Sequence, residues 1–268
     1  MSDLNDKVVI ITGGSKGIGR ETAKLFAKAG AQVIITGRRI EELEKTASLI
    51  RSLDGKCDFF QGDVTDIQDC ERIINSVIES YHRLDILINN AGMSMRGLFE
   101  DTDLDLFHKV IDINFSGSVN MTKFALPSLI ESKGSVLFIS SLSGLKGIPG
   151  IAPYCTAKMA LTGFSESLRA EVCRHQVHVG IIYVGFTEND QDKTIYSAKG
   201  ERIPLHRDKN NDTQLGVARS ILKAINKRKR VMYLTPVGKI AAFVYRLFPR
   251  LSDYLLRKFT MKSEMYKS

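Results

Sequence analysis

Residues 7–19, KVVIITGGSKGIG, decide the reading of the fold. Lys7–Thr12 is a short apolar run rich in β-branched residues, which reads as a buried strand. A glycine-rich turn follows, then helical spacing over Ile18–Lys28, with Gly30 as a C-terminal stop. Strand, glycine turn and helix in that order bring a helix N-terminus to the end of a strand. The N-terminus offers unpaired N–H groups and a positive dipole end to an anion. Glycines there let the backbone turn tightly and approach a pyrophosphate closely. Gly13, Ser15, Lys16, Gly17, Ile18 and Gly19 are therefore candidate cofactor-binding residues.

The alternation continues outward from this turn. Gln32–Thr36 reads as a second strand and Ile40–Leu53 as a second helix. Strand-like runs recur at Cys57–Phe60, Ile86–Ile88, Val136–Ser140 and Val177–Tyr183, with helices between. Fully apolar strands alternating with helices argue for βαβ units and a parallel sheet covered on both faces. The expectation is one doubly wound α/β domain over residues 1–268, with helices flanking the parallel sheet. A less regular, highly polar segment at about 186–212 reads as a lid over the substrate. A helix over Asp212–Asn226, a last strand at Val231–Thr235 and a basic amphipathic extension at about 237–268 complete the chain.

Hydrophobic residues make up 43% of the chain and charged residues 25%, which excludes disorder, collagen and a disulfide-rich mini-scaffold. No apolar run approaches the roughly 18 residues of a membrane-spanning helix, and the first residues lack the apolar core of a secretory signal. The four cysteines form no C-x-x-C, and the five histidines form no close cluster. No metal is expected, and reduced thiols point to the cytoplasm, with a membrane surface as a peripheral location.

The glycines are spaced G-x-x-x-G-x-G, not G-x-G-x-x-G. Asp63-Val64 follows the third strand, and Asn89-Asn90-Ala91-Gly92 the fourth. Asn114 falls in the next long helix, and Ser141 precedes Tyr154-x-x-x-Lys158. On these segments the chain resembles the short-chain dehydrogenase/reductase (SDR) family, whose T-G-x-x-x-G-I-G it matches residue for residue. The resemblance implies a Rossmann-type fold and a nicotinamide cofactor. It implies an adenine contact at Asp63 and Val64, further cofactor contacts at Asn90, Ala91 and Gly92, and a catalytic tetrad of Asn114, Ser141, Tyr154 and Lys158. It also implies a homodimer or homotetramer paired through long helices at 103–131 and 153–174.

Tyr154 and Lys158 stand at i and i+4, so on a helix they share a face. A tyrosine hydroxyl titrates near pH ~10, and a neighbouring ammonium favours its phenolate. Lys158 also suits the cofactor ribose, Ser141 the substrate oxygen, and Asn114 a water that links Lys158 to solvent. Hydride then passes between the nicotinamide and the substrate carbon while Tyr154 handles the proton on oxygen.

The second strand ends in Gly37-Arg38-Arg39, without the acid that would bind a ribose 2′-hydroxyl. Arg38, with Lys16 opposite, suits a 2′-phosphate, so NADP(H) is expected. After the sixth strand, Val184 stands where most family members have proline, followed by Gly185. The nicotinamide carboxamide contact then falls to Thr187 or Asn189. Ala125–Leu129 and Ile139–Leu168 look like the 11-beta-hydroxysteroid dehydrogenase-like branch. Segments within 91–101 resemble 3-ketodihydrosphingosine reductases. Both imply a carbonyl reductase acting on a lipophilic ketone, steroid-like or a 3-keto lipid. The alternative is a catalytically silent NADP(H)-binding sensor or scaffold tethered to a membrane by its tail.

Net charge is +8, yet residues 221–268 alone carry twelve Lys/Arg against two Asp/Glu, so the first 220 residues sum to −2. Val237, Ile240, Ala241, Val244, Leu247 and Phe248, then Leu251, Leu255 and Phe259, follow helical spacing beside these cations. Such a stripe either lies in a membrane interface or packs on protein. The main body shows no basic face or motif for nucleic acid.

Overall fold

The computed structural model describes residues 4–205 and 212–260. In chain order its elements are β1 (Val8–Thr12), α1 (Gly17–Lys28), β2 (Gln32–Gly37), α2 (Ile40–Arg51), β3 (Cys57–Gln61), α3 (Ile67–Tyr81), β4 (Ile86–Asn89) and β5 (Met95–Arg96). There follow α4 (Leu104–Ile111), α5 (Gly117–Glu131), β6 (Ser135–Ser141), α6 (Ala152–Glu171), β7 (His178–Val184), β8 (Thr194–Ser197) and β9 (Arg202–Pro204). The last are α7 (Gln214–Asn226), β10 (Val231–Tyr233), α8 (Pro236–Leu247) and α9 (Pro249–Thr260).

Seven strands form a parallel sheet in the order β10-β7-β6-β4-β1-β2-β3. All of β1 is buried, because helices cover both faces. Its period-2 alternation sends Val9 and Ile11 into one apolar cluster with Phe26, Leu43 and Ile221. Val8 and Ile10 enter the other, with Ile73, Met121, Leu129, Phe138 and Leu161. The chain winds outward from β1 through β2 to β3, then returns to β4 on the other side of β1. That reversal opens a crevice at the carboxyl ends of β1 and β4, where ligands bind in sheets of this type.

The doubly wound parallel sheet is as expected from sequence, with local differences. The helix expected at 103–131 is α4 and α5 joined through a wide π-helical turn at Asp112–Ser116. The helix expected at 153–174 ends at Glu171 and tightens to a 3-10 turn over Cys173–His175. The strand expected at 231–235 stops at Tyr233, because Thr235 caps α8: its Oγ1 accepts the Gly238 N–H at 3.0 Å. Within 186–212 the hairpin β8–β9 joins β5 in a small three-stranded sheet, anchored by buried Ile195. Residues 206–211 of that segment, residues 261–268, and the side chains of Val237 and Phe259 lie outside the described part. Among the described residues no helix is long and apolar enough to cross a membrane.

Candidate active site

The glycine turn sits at the carboxyl end of β1. Gly13 and Gly17 adopt φ of +63° and +56°, the left-handed region that a side chain disfavours. A Cβ on Gly19 would lie 2.2 Å from the Gly13 carbonyl oxygen, so the turn closes only with glycine there. A Cβ on Gly17 would meet nothing, so this side of the turn opens to a ligand. Asn90 ties the turn to β4: its Nδ2 donates to the carbonyls of Thr12 and Gly13 at 2.9 and 3.2 Å. Thr12 Oγ1 accepts the N–H groups of Asn90 and Ala91. Ser15 lies alongside, its carbonyl taking the Thr46 hydroxyl at 2.9 Å.

The turn already holds an anion from this chain. Gly17 N–H donates to Asp190 Oδ2 at 3.1 Å, while Asp190 Oδ1 accepts from Arg20 at 3.0 Å and Gln214 at 3.2 Å. Lys16 Nζ donates to Asp192 Oδ2 at 2.6 Å and lies 3.3 Å from Glu42. The hydrogen bond from Lys16 holds Asp192 below the usual carboxylate range. A turn that receives a carboxylate oxygen on its first helical N–H fits a pyrophosphate oxygen in the same role. At the far end Arg38 lies 3.6 Å from Asp63 and lines a cavity of about 240 Å³ with Thr65, His108 and Lys109. Val64 turns inward instead: a Cβ on Gly117 would lie 2.5 Å from its Cγ2, and its carbonyl accepts from Asn120.

Tyr154 and Lys158 both stand on α6. The Lys158 ammonium is buried, donates to the Ile139 carbonyl at 2.9 Å and lies 5.6 Å from the centre of the Tyr154 ring. Burial pushes it down to about 8. Tyr154 packs against Met95, Leu106 and Val110, as does Tyr196 from β8. Asn114 sits in the π-helical turn. Its Nδ2 donates to the carbonyls of Met93 and Val110, at 2.8 and 2.9 Å. Its Oδ1 is buried and has no partner among the described residues. A Cβ on Gly92 would lie 2.7 Å from that oxygen and 3.7 Å from Lys158 Nζ. So Gly92 keeps open the space beside both groups, and an acceptor lacking a partner there fits a donor such as water.

Three serines near the end of β6 divide their work. Ser140 Oγ is buried and donates to the Lys158 carbonyl, holding α6 to the strand. Ser143 is buried one turn on. Ser141 Oγ, only half-buried, accepts the Ser143 N–H at 3.2 Å and donates to Ser143 Oγ at 3.4 Å, a long bond that a substrate oxygen can replace. After β7, Gly185 lies close to Thr235, and Thr187 is buried with its hydroxyl donating to the Gly185 carbonyl at 3.3 Å. Asn189 Nδ2 donates to the carbonyls of Asp190 and Leu205. The residues that sequence reading missed are Arg20, Asp190, Asp192 and Gln214. Arg20 meets Asp190 across 170 positions, Lys16 meets Asp192 across 176 and Gln214 meets Asp190 across 24, and no local pattern pairs them.

Comparison with known proteins agrees with this architecture. A family model described as short chain dehydrogenase matches residues 7–200. The dehydrogenase/reductase SDR family member 7B of Rattus norvegicus is 35% identical over 259 residues, covering 92% of this chain and 79% of its own. The 11-beta-hydroxysteroid dehydrogenase-like 2 of Arabidopsis thaliana is 33% identical, covering 95% and 82%. A crystal structure of an actinorhodin polyketide ketoreductase variant with NADPH superposes with a TM-score of 0.67 at 29% identity, covering 70% of this chain and 73% of that one.

Proposed function

Because this chain belongs to the short-chain dehydrogenase family, we propose that it is an NADP(H)-dependent enzyme that interconverts a ketone and a secondary alcohol on a lipophilic molecule. That it is an oxidoreductase using a nicotinamide cofactor follows from the family itself. The carrying observation is the buried Lys158 ammonium beside the Tyr154 ring, with Asn114 Oδ1, which has no partner among the described residues, across the space that Gly92 leaves open.

When bound, the nicotinamide exchanges hydride with the substrate carbon. Tyr154 gives its phenolic proton to the carbonyl oxygen, and the Lys158 ammonium stabilises the phenolate left behind. Asn114 Oδ1 accepts from a water that resupplies the proton through Lys158. The Ser141 hydroxyl, oriented by the Ser143 N–H, donates to the substrate oxygen and aligns it. Gly13 and Gly17–Gly19 take the pyrophosphate, and Gly92 leaves room beside Lys158.

NADP(H) is supported by Arg38 and Lys16, with Gly37 in place of an acid at the end of β2. Both cations face acids now, Asp63 for Arg38 and Asp192 with Glu42 for Lys16; a 2′-phosphate competes for them. The carboxamide falls to Thr187 or Asn189. A lipophilic substrate is supported by the name of the Arabidopsis relative and by Phe186, which is 76% exposed at the start of the segment read as a lid. The β8–β9 hairpin belongs to that cover, since Tyr196 joins the cluster that holds Tyr154.

The test is NADPH consumption across carbonyl compounds from small aldehydes to steroid ketones and 3-keto lipids, with NADH as the control. Turnover confined to bulky apolar ketones with NADPH is expected. Tight NADPH binding without turnover on any of them would move the reading to a silent cofactor-binding scaffold.

A further inference from the structure

The α8–α9 hairpin turns an apolar face to water. Ile240, Phe243 and Leu247 on α8, and Leu251, Tyr254 and Leu255 on α9, are each 50–64% exposed. At 3.6 residues per turn the first three fall within about 60° of one face and the second three within about 100°. Ala241 and Val244, which the sequence placed on the same stripe, are half-buried against the protein.

Cations edge this face. Lys239 flanks the α8 side, Arg250 and Arg257 flank the α9 side, and Lys258 stands within the α9 face; all four are exposed. The only acid between residues 237 and 260, Asp253, is paired with Lys146. The hairpin is also fixed in place. Gly238 is buried, and a Cβ there would lie 2.6 Å from Leu142, the residue after Ser141. Ser252 is buried on the inner side of α9. So the exposed face is not the free side of a frayed tail: its inner side is docked beside the loop that follows β6.

A contiguous apolar face on a soluble surface marks a partner. A second copy of this chain would bring a second set of the same cations to the face, with Asp253 already paired with Lys146, and interface cores are depleted in lysine. A lipid surface bearing anionic headgroups takes both features at once. Its acyl boundary receives the aliphatic and aromatic side chains, and its phosphates and carboxylates receive the flanking cations. We propose that the α8–α9 hairpin docks this protein flat on an anionic membrane surface. The interaction rests on Ile240, Phe243, Leu247, Leu251, Tyr254 and Leu255 with Lys239, Arg250, Arg257 and Lys258, and not on the cofactor chemistry. It sets the loop after Ser141 beside the surface from which a lipophilic molecule would come.

The experiment is co-sedimentation of the full chain with phosphatidylcholine vesicles, with and without about one third phosphatidylserine. Binding to the anionic vesicles at least tenfold above the neutral ones is expected, falling as salt rises. The double variant Phe243→Ser, Leu251→Ser should lose at least tenfold of that binding. The variant Arg257→Gln, Lys258→Gln should lose about tenfold and most of the salt dependence. All positions are exposed, and an unchanged melting temperature verifies the fold of each variant. Equal binding to neutral and anionic vesicles, or none to either, would overturn the proposal. So would a dimer in light scattering that dissociates in the Phe243→Ser, Leu251→Ser variant while neither protein binds vesicles, since a second copy would then cover the face.

Discussion

The two ends of the candidate site are held together in opposite ways. Around Tyr154 and Lys158, position comes from packing and buried hydrogen bonds: Ile139 fixes the ammonium, Val110 and Met93 fix Asn114, and Lys158 itself is 5% exposed. At the phosphate turn, position comes from charge. Lys16, Arg20 and Arg38 are all partly exposed, and each faces a carboxylate from elsewhere in the chain. The first end is preorganised, since buried hydrogen bonds already hold Lys158 and Asn114 in place. At the second, an anionic ligand must replace ion pairs that the protein has already made, each worth little at the surface. On the proposed reading, the groups for chemistry are thus held by packing, while cofactor affinity and selectivity rest on single exposed charges.

This contrast breaks most sharply at Tyr154. Replacing Tyr154→Phe removes only the proton donor, so turnover should fall about 10³-fold or more while NADPH binding by fluorescence titration stays unchanged. Retained turnover would show that the rigid end does not carry the chemistry. At the charged end, Arg38→Ala with Lys16→Ala should weaken NADPH about 30-fold and NADH by less than about threefold, measured as dissociation constants. Equal losses would mean that neither cation meets a 2′-phosphate.

A smaller effect sharpens the rigid end. Burial lowers Lys158 to about 8 from its ordinary 10.5, so between these values the unfolded chain binds a proton that the folded chain does not. Stability should therefore rise with pH over that window, by on the order of 1–3 kcal/mol relative to a Lys158→Met variant. Turnover in the reductive direction should fall through the same window as the ammonium is lost. Parallel stability profiles for the two proteins would place Lys158 in a wetter setting than the structure shows. The smallest effect expected is at Asp192→Asn, which frees Lys16 from its closest carboxylate. NADPH should bind about threefold to fivefold tighter with NADH unchanged, and weaker NADPH binding would show that Asp192 orients Lys16 instead of competing for it.

Much of the fold was legible because its signals are local. The apolar run of β1 and the glycine turn lie within thirteen consecutive residues, and strand–helix alternation repeats that logic to β7. The family membership read from Gly13, Gly17, Gly19, Asn114, Ser141, Tyr154 and Lys158 is matched by the family comparison. The π-helical turn was not legible. Leu104–Glu131 carries uninterrupted helical spacing, and what widens it is the demand of the Asn114 side chain for the Val110 and Met93 carbonyls. The β5–β8–β9 sheet was also missed, since two-residue and three-residue strands leave no periodicity to read.

The order of residues by itself determined the parallel sheet, the family, the candidate tetrad and the basic amphipathic end, because these follow from spacing along a helix or strand and from composition. Tertiary structure alone decided which groups have partners. It gave Lys158 its burial, left Asn114 Oδ1 without a donor among the described residues, laid Asp190 and Asp192 on the glycine turn, and turned Phe243 and Leu251 outward while Ser252 went in. Hydrogen bonding and burial depend on what the folded chain brings within a few ångströms, and residues about 170 positions apart meet only once the sheet has closed.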